Sequence, residues 1–398
     1  METVSLQLPA LHLKPRAHHR LRRGHLWVFS NEIERIEGEV KPGGEVRVLD
    51  GAGRLRGTAT HNPHTLIAAR LHSRRLELLD EALIASRTVA AIERRRALCP
   101  ERECWRAVFG ESDGLPGLVV DRVGPVAVIQ ILTLAMEQRR EWIVGAVERA
   151  LEPEGILERS DSPLRALEGL EPRVGVARGD VPPLVRVEDP PGIPLEIPLR
   201  SGQKTGLFLD HHENRLLLRG RVGGARVLDV FCYIGHWSVC AATWGAASVL
   251  GVDSSGDAVT QAKTNARLAG VGERCQFLQG DAFGELRALD RAKTPFDAVI
   301  LDPPAFAKSR KHVREALKGY TEINTRAMRL LAPAGRLFTA SCSHHIGEEE
   351  FREMLVQAAR GAGREFVVEA AMRQAADHPV LLGHPETAYL KGAVLRRI

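Results

Sequence analysis

The sequence predicts a doubly wound α/β domain that occupies the second half of the chain and follows two smaller domains. Two observations carry that prediction. Residues 226–253 have the pattern of a strand, a glycine turn at Gly235, a helix-length segment and a second strand that ends at Asp253. From there to the C-terminus, short apolar runs alternate with helix-length segments. This alternation indicates a mainly parallel sheet with helices on both faces.

Length, composition and charge limit the class of protein. The chain has 398 residues, of which 44% are apolar and 26% charged, as in globular proteins of two or three domains. No apolar run could cross a bilayer and the N-terminus lacks a signal-peptide pattern, so we expect a cytoplasmic protein that does not bind membranes. The formal charge of +5 allows an anionic partner without requiring one. Six cysteines without regular spacing predict reduced thiols and no metal site.

Residues 1–72 are predicted to form a small β-barrel. Strand-length runs separated by turns with Gly, Pro or Asn occur at 46–49, 55–60 and 66–71. A basic cluster precedes them, near Trp27 and Phe29, and contains Lys14, Arg16, Arg20, Arg22 and Arg23. A basic run is usually only a solvated surface, but its concentration on one small β-module beside aromatic rings favours contact with nucleic acid.

Residues 73–187 are predicted to form a compact α+β domain without chemistry of its own. A helix, two strands and a second helix are expected at 77–98, 118–122, 127–132 and 137–151. The stretch that follows has no regular pattern. Four prolines between positions 182 and 191 predict a linker, so the last domain is expected to comprise residues 188–398.

Acidic side chains occur at or near successive strand ends of the last domain, at Asp229, Asp253, Asp281 and Asp302. In an open α/β sheet, ligands bind beyond the carboxyl ends of the strands. One such acid is often only a helix cap, whereas several in succession favour a shared ligand. A dinucleotide site would show three glycines where this chain has only Gly235. The pattern therefore favours S-adenosylmethionine over NAD.

Two strand ends have the features expected of a catalytic site. Asp302 is followed by Pro-Pro-Ala-Phe, and the prolines fix a turn that presents the carboxylate and the ring of Phe306. Cys342 lies between two serines at the end of the next strand. A cysteine in a sheet more often belongs to the core than acts as a nucleophile, but the position of Cys342 near Asp302 favours a nucleophile. Cys342 is also the only cysteine expected at this edge of the sheet. The core is predicted to contain Cys232, Cys240 and Cys275.

Seven stretches spread over nearly the whole chain carry a resemblance. They are GHLWVFSNEI at 24–33, DGLPGLVVDRV at 113–123, GQKTGLFLDHHENR at 202–215, DVFCYIG at 229–235, DPPAF at 302–306, SCSHH at 341–345 and PETAYLK at 385–391. Together they resemble the PUA-domain ribosomal RNA large-subunit cytosine-C5 methyltransferases of the RlmI/RlmO type. The resemblance implies an RNA-binding PUA barrel, a central α+β domain and a class I (Rossmann-like) S-adenosylmethionine-dependent methyltransferase domain. It also implies large-subunit (23S) ribosomal RNA as partner and 5-methylcytosine as product.

With the resemblance, individual residues take expected roles. Cys342 corresponds to the family's nucleophile, with Asp302 beside it. Asp253 is expected to bind the ribose of the cofactor, and Asp281 with the Ala282 amide its adenine. The methionine pocket is expected to involve Asp229, Phe231, Gly235, Lys204, Thr205, Gly206 and Phe208. Contact with RNA near the target base is expected from Phe306, Lys308, Arg310 and Lys311, although such a basic loop is nearly as often only solvated.

The chain departs from the family pattern at two places. His236 stands where a second glycine is common, and His211 and His212 follow Asp210 where Gln-Arg is common. Neither change removes a matched binding acid. They leave the choice among members of the family open.

The expected mechanism follows from the chemistry of cytosine. C5 is a poor nucleophile, but a thiolate that adds to C6 turns the ring into an enamine that can take a methyl group. Loss of the C5 proton then expels the thiol. Asp302 would support charge at N3, for which it would have to be protonated. Because Pro304 and Ala305 stand where some RNA cytosine enzymes carry a second cysteine, product release is expected to use His344, His345 or a water.

Two other functions stay open from the sequence. The DPPAF turn also resembles the site of enzymes that methylate amino or amide nitrogens, in which case Cys342 would be silent. A non-catalytic RNA-binding or ribosome-assembly factor with the same fold is the third hypothesis, which the intact acids disfavour. The sequence also leaves open which nucleotide is the target and whether the substrate is naked RNA or an assembled particle. It does not determine the oligomeric state, for which a homodimer is one possibility.

Overall fold

The structure is a computed structural model that describes residues 8–202, 205–307 and 309–398. The chain divides into two compact units, which we describe separately. The first comprises Met1–Val185, Pro198–Leu207 and Asp377–Thr387, and the second comprises Arg186–Ile197, Phe208–Ala376 and Ala388–Ile398. The three-domain division predicted from the sequence stays a prediction.

The first sheet of the first unit has six strands in the order β2-β6-β5-β4-β1-β3. Its elements are β1 (Ala10–Leu13), α1 (His19–Arg22), β2 (Trp27–Val28), β3 (Ile33–Glu37), β4 (Glu45–Leu49), β5 (Leu55–His61) and β6 (Ala69–Ser73). Its apolar core includes Leu11, Val46 and Leu71. The strand expected at 66–71 begins only at Ala69, because Leu66 lies in a bend and is 77% exposed.

The second sheet of this unit has five strands in the order β11-β10-β9-β8-β7. Its elements are α2 (Glu81–Leu98), β7 (Cys104–Phe109), β8 (Leu118–Val123), β9 (Val126–Ile131), α3 (Leu134–Glu137), α4 (Arg140–Leu151), β10 (Gly155–Ser160), α5 (Leu164–Leu167) and β11 (Arg173–Gly179). Helix α2 begins four residues later than predicted because the side chain of Asp80 accepts a hydrogen bond from Leu83 N and caps the helix there. The stretch expected to be irregular contains β10 and β11.

Later segments complete the first unit. The carboxylate of Asp377 accepts hydrogen bonds from Arg106 N (2.9 Å) and from the guanidinium of Arg102 (3.1 Å). Its carbonyl accepts one from the fully buried Arg95 (3.2 Å), 282 residues earlier. The guanidinium of Arg95 also donates to Asp113 (2.6 Å). Residues far apart in sequence therefore share one buried polar network.

A two-stranded sheet, β12 (Val185–Glu188) and β13 (Pro194–Ile197), occupies the region predicted to be a linker. The second unit continues with α6 (His212–Leu216), β14 (Arg226–Val230), α7 (His236–Thr243), β15 (Ser248–Asp253), α8 (Gly256–Leu268), β16 (Cys275–Gln279), α9 (Ala282–Ala292), β17 (Phe296–Leu301), α10 (Val313–Leu330), β18 (Leu331–Ser341), α11 (Glu348–Ala362), β19 (Phe366–Arg373) and β20 (Lys391–Arg397).

These strands form a seven-stranded sheet in the order β16-β15-β14-β17-β18-β20-β19. The first five strands of that order are parallel, whereas β20 is antiparallel to both of its neighbours. Apolar residues of the strands pack against the helices, with Leu228, Val299 and Tyr320 in the core. The predicted doubly wound α/β domain is confirmed. Its strand order reverses at β14, so a ligand crevice is expected at the carboxyl end of that strand.

Candidate active site

The carboxyl ends of the parallel strands bring the predicted acids and Cys342 to one edge of the sheet. Asp229 is the fourth residue of β14, Asp253 ends β15, Asp302 follows β17 directly and Cys342 follows β18 directly. The side chains at this edge come from strands on both sides of β14. The topology therefore brings these four side chains to one edge of the sheet.

The loop between β14 and α7 is conformationally strained. Phe231 and Tyr233 have φ angles of +68° and +51°, a region that costs non-glycine residues about 1–3 kcal/mol and that persists mainly at functional sites. Gly235 has φ +78°, and a Cβ there would lie 2.9 Å from the Cβ of Ala262, so the turn requires glycine. Tyr233 N donates to Asp253 Oδ2 (2.9 Å). The loop is thus held against the end of β15.

Asp229 is fully buried and only partly satisfied. Ser238 Oγ donates to its Oδ2 (2.6 Å), while Oδ1 has no hydrogen-bond partner among the described residues. Burial, reinforced by the charges of Asp302 and Asp253, raises the pKa of Asp229 to about 7. An unsatisfied buried acceptor costs about 1–3 kcal/mol. A cationic ligand group at this position would remove that cost.

Asp302 accepts hydrogen bonds at both oxygens and is 21% exposed. His211 Nε2 lies 3.1 Å from Oδ1, and Trp237 Nε1 donates to Oδ2 (3.2 Å). Burial opposes ionisation, but the contact with His211 and the hydrogen bond from Trp237 leave the pKa of Asp302 below its ordinary value. The surroundings of Asp302 therefore favour the carboxylate over the protonated form that we expected from the chemistry.

Asn214 fixes which nitrogen of His211 carries the proton. The Asn214 amide donates to Arg373 O (2.8 Å) and accepts from Arg373 N (3.2 Å), so its orientation is determined by the backbone of β19. The same amide nitrogen lies 3.1 Å from His211 Nδ1, which must accept. The proton of His211 is therefore on Nε2, from which it is donated to Asp302. Sequence analysis did not find this role for His211, whose only signal was its departure from the family pattern.

Cys342 is partly exposed, whereas Cys232 is buried in the loop after β14. Cys232 also follows a strand at this edge, so the expectation that Cys342 is the only cysteine there is wrong. Burial, together with the charges of Asp229 and Asp253, raises the pKa of the Cys232 thiol well above its ordinary value. A buried thiol that resists ionisation is a poor nucleophile, which leaves Cys342 as the better candidate at this edge.

The loop that carries Cys342 is tied to the DPPAF turn. Ser341 Oγ donates to the hydroxyl of Tyr320 (3.0 Å), which is also bonded to Ser343 Oγ (3.0 Å). Ala307 N donates to the same Ser343 Oγ (3.4 Å), and the ring of Tyr320 packs on Phe306 at 4.6 Å. The two strand-end motifs therefore share one buried hydrogen-bond network. Tyr320 was missed from the sequence because it occupies an ordinary core position of α10.

Lys391, at the start of β20, holds the same loop from another side. Its Nζ donates to Ser343 O (2.6 Å) and Ile346 O (2.5 Å), and its side chain is buried. In the antiparallel pairing of β18 and β20, Lys391 lies opposite Ser341. Sequence analysis included Lys391 in a matching stretch but gave it no role.

An open cavity of about 330 Å³ adjoins the DPPAF turn. Its lining includes Phe283, Phe306 and Gly319, and the two aromatic rings lie 5.9 Å apart. A Cβ on Gly319 would contact both rings at 3.4–3.7 Å. The cavity is therefore bounded by aromatic surface of the kind on which a heterocyclic ring stacks.

Comparison with known proteins places the chain in a family. A family model described as PUA-like domain matches residues 11–74, and one described as S-adenosylmethionine-dependent methyltransferase matches residues 186–384. The chain is 37% identical over 382 residues to the ribosomal RNA large subunit methyltransferase I of Erwinia tasmaniensis, covering 95% of this chain and 96% of that protein. The chain belongs to the ribosomal RNA large subunit methyltransferase I family. A relative of the same name from Klebsiella pneumoniae is 35% identical and covers 94% of this chain and 95% of its own length.

Solved structures support the same fold. A structure of SMU.776, a methyltransferase complexed with SAH, has a TM-score of 0.85 at 20% identity and covers 97% of this chain and 99% of its own. A SAM-dependent methyltransferase from Streptococcus mutans gives 0.84 at 19% identity with the same coverage. The chain therefore has a PUA-like domain followed by an S-adenosylmethionine-dependent methyltransferase domain. No helix in the described part of the chain is both long and apolar enough to span a membrane.

The other predicted cofactor residues of this family member occupy different environments. Asp281 is exposed and accepts a hydrogen bond from Gly284 N (2.7 Å), so it caps α9, where Ala282 is the first residue. Phe208 packs edge-on against Tyr233 at 5.4 Å. Thr205 and Gly206 group with the first unit, where Thr205 Oγ1 donates to Asp121 Oδ2 (2.6 Å). Lys204 lies outside the described residues.

The predicted RNA-contacting residues are mostly exposed. In the first unit, Lys14, Arg16, Arg22 and Arg23 are exposed. Arg20 instead pairs with Glu32 through two bonds of 2.9 and 2.8 Å and lies over the ring of Phe29 at 4.4 Å, so its charge is already compensated. In the second unit, Arg310 and Lys311 are exposed in a short turn before α10. Lys308 lies outside the described residues.

Two of the departures from the family pattern meet at Asp189. His212 Nδ1 lies 2.6 Å from Asp189 Oδ1, and Arg215 donates to Oδ2 (3.4 Å). His236 Nε2 lies 2.5 Å from the carbonyl of Asp189. Asp189 thus anchors α6 through its buried carboxylate and the start of α7 through its carbonyl to the segment before β13. Sequence analysis missed Asp189 because it lies among the prolines of the expected linker.

One group of three possible metal ligands occurs in the described part of the first unit, at His25, His384 and Glu386. The Nδ1 atoms of both histidines accept backbone N–H groups, from Trp27 N (3.0 Å) and Leu26 N (3.3 Å). The Nε2 atoms, which would face the metal, therefore carry the protons. That arrangement suits the bond from His25 to Glu386 (3.1 Å) rather than metal coordination.

Proposed function

We propose that the protein methylates C5 of a cytosine in large-subunit ribosomal RNA through a covalent bond between Cys342 and C6 of the base. The observation that carries the proposal is a partly exposed cysteine at the end of β18, tied through Tyr320 to the turn that presents Asp302. The names of the relatives supply the class of RNA. Such an enzyme is expected in the cytoplasm.

The acids at the sheet edge fit S-adenosylmethionine. Asp229 Oδ1, buried and without a partner among the described residues, is a suitable acceptor for the ammonium group of its methionine moiety. Asp253 accepts Tyr233 N and Ser255 N at separate oxygens (both 2.9 Å), and each oxygen keeps a lone pair for a ribose hydroxyl. When bound, S-adenosylmethionine supplies an electrophilic methyl group and leaves as S-adenosylhomocysteine. Asp281 caps α9, and its contact with the adenine ring of the cofactor is part of this proposal.

Cys342 carries the covalent step. Its thiolate adds to C6, which forms an S–C6 bond and moves the C5=C6 electron pair to C5, where the methyl group is received. A base then removes the C5 proton, the C5=C6 bond forms again and the S–C6 pair returns to sulfur. The exposed histidines His344 and His345 lie two and three residues after Cys342, and His344 stacks on Tyr389 at 5.3 Å. Both are candidates for that base.

Asp302 acts in this scheme as an ionised acceptor. The bonds from His211 and Trp237 favour the carboxylate, which can accept a hydrogen bond from the N4 amino group of cytosine. This role orients the ring and replaces the donor role toward N3 that we predicted from the sequence.

The hydrogen bonds that favour an ionised Asp302 also favour a second candidate function, the transfer of a methyl group to an amino nitrogen. An ionised Asp302 before a Pro-Pro turn could bind an exocyclic amino group directly, and Cys342 would then take no part in the reaction. The two functions differ in whether a covalent complex between enzyme and RNA forms.

RNA that contains 5-fluorocytosine distinguishes them. Fluorine at C5 cannot leave as a proton, so the wild-type enzyme should be trapped on this RNA as a complex that survives denaturant. Cys342→Ala should lose the complex and reduce methyl transfer at least a thousandfold while it still binds cofactor. The matched control is Cys275→Ala, at the opposite end of a strand, which should behave like wild type. Full activity of Cys342→Ala would reject the C5 mechanism and support amino-group transfer.

A further inference from the structure

Lys391 is a buried cation for which the described residues supply no anionic partner. Its ammonium group contacts two carbonyl oxygens of the loop after Cys342, those of Ser343 and Ile346. No carboxylate of the described residues forms an ion pair with it. A buried charge is normally paired, because removal from water costs several kcal/mol. The surroundings of Lys391 therefore call for a negative charge.

The nearby carboxylates are engaged elsewhere. Glu348 and Glu350, in the first turn of α11, are exposed; Glu348 pairs with Arg373 (3.3 Å) and Glu350 accepts Gly347 N (2.8 Å). On the side of α10, Tyr320 presents a hydroxyl that bonds to Ser341 and Ser343. The remaining ionisable groups of the loop are Cys342 and the exposed histidines that follow it. Among these, only the thiol can become an anion.

We propose that Lys391 is a positioning residue that stabilises the thiolate of Cys342 and fixes the loop that presents it. This proposal rests on the proposed function only in that the thiolate would attack C6 of cytosine. Burial lowers the pKa of Lys391, while the charge of Cys342 and, to a lesser extent, the charges of Glu348 and Glu350 act in the opposite direction. The two carbonyl bonds of Lys391 lie on the residues that follow Cys342, so the ammonium holds the loop and supplies a positive field at the sulfur.

The test measures the thiol itself. The rate of alkylation of Cys342 by iodoacetamide, followed by mass spectrometry of its peptide as a function of pH, gives the thiol pKa in the full-length protein. We expect that pKa in the folded wild type to lie at least one unit below its value in denaturant. Lys391→Met, which keeps the length of the side chain but removes its charge, should raise the pKa by at least one unit and slow alkylation at pH 7 about tenfold. Lys391→Arg should restore most of the reactivity.

A control separates the charge of Lys391 from its hold on the loop. Ser343→Ala removes the hydrogen bonds of the Ser343 hydroxyl to Tyr320 and Ala307 but leaves Lys391 in place. The pKa of the Cys342 thiol in this variant should therefore stay at the wild-type value. Equal thiol pKa values in the wild type and Lys391→Met, or in folded and denatured wild type, would overturn the proposal. So would an equal increase in Lys391→Met and Ser343→Ala, because loop disorder would then explain the effect. Alkylation does not require RNA, so a failure of C5 methylation would leave this result independent.

Discussion

The His211 ring opposes the effect of burial on the acidity of Asp302. His211 donates to Asp302 from Nε2, and Asn214 holds the ring in the tautomer that can do so. The sequence predicted the position of Asp302 because strand ends and proline turns are local patterns. It could not predict that the surroundings favour the carboxylate, because this depends on His211, about 90 positions earlier, which reaches the same edge only in the fold.

Replacement of His211 should shift the pH dependence of methyl transfer. The wild-type carboxylate has a lowered pKa, so its ionised form is complete above about pH 5 and the single-turnover rate should not depend on Asp302 there. In His211→Ala, the contact that opposes the effect of burial is lost, so the pKa of Asp302 should rise. The rate of methyl transfer should then fall as the pH decreases through that raised pKa. His211→Gln can still donate to Asp302 and should keep the wild-type profile. Identical profiles of His211→Ala and wild type would contradict this role.

Asp253 and Asp281 should differ in their effect on cofactor binding. Hydrogen bonds to a charged group contribute about 1.5–3 kcal/mol, so Asp253→Ala should weaken S-adenosylmethionine binding about 10- to 100-fold in calorimetry. Asp281→Ala should have a smaller effect, because its observed contact is the cap of α9. Circular dichroism of both variants checks the fold. An unchanged affinity in Asp253→Ala would reject the ribose assignment.

At the scale of elements, the sequence predicted best where the pattern is local and apolar. The strands and helices of the second unit alternate largely as expected, because most of its strands contain a short apolar run and are followed by a helix-length segment. Strand β10 was missed because it contains Glu158 and Arg159, which read as surface residues. Both are buried in the fold, where Glu158 accepts from Arg140 (2.8 Å) and Arg159 donates to Leu199 O (2.6 Å). Buried charges with distant partners cannot be recognised from alternation alone.

The start of α7 should make stability depend on pH. Burial, with a contribution from Arg215, lowers the pKa of His236 to about 3 in the folded protein, compared with about 6.5 in the unfolded chain. Because the folded value is lower, the stabilisation is complete above pH 6.5 and is lost as the pH falls from 6.5 toward 3. Each unit of that interval corresponds to about 1.4 kcal/mol at most.

Chemical denaturation between pH 7 and 4.5 measures this loss. His236→Gln, whose amide can still donate to the Asp189 carbonyl, should show a smaller decrease in the free energy of unfolding than wild type. His345→Gln replaces an exposed histidine and should keep the wild-type slope. Parallel slopes for wild type and His236→Gln would show that another group controls the acid sensitivity.

At the scale of the whole molecule, the sequence predicted the fold class and the family resemblance, and its three contiguous domains stay a prediction. In the fold, two later segments, Pro198–Leu207 and Asp377–Thr387, group with the first compact unit. The contacts that join them span hundreds of residues, as between His25 and Glu386, 361 positions apart. No local pattern encodes such a pairing.

The exposed basic residues of the first unit should contribute a salt-dependent share of RNA affinity. Deletion of the first 71 residues would interrupt a compact unit, so substitution is the sharper test. Replacing Lys14, Arg16, Arg22 and Arg23 by alanine should weaken RNA binding and reduce the dependence of log K on log salt by up to about 0.7 per lost phosphate contact. The control removes four exposed basic residues of the second unit, Lys263, Arg267, Arg352 and Arg360. Equal salt slopes in the two variants would assign no special role to the first unit.

The buried network around Asp377 also constrains how the chain is made. Arg95 Nε donates to the carbonyl of Asp377, a residue that leaves the ribosome after nearly the whole protein has been synthesised. Domains usually fold in the order of synthesis, but here the first unit would hold a buried arginine with an incomplete set of acceptors until residue 377 emerges. Its final consolidation is therefore a late event, and a nascent chain arrested before that point should resist proteolysis less well in the N-terminal region than the finished protein.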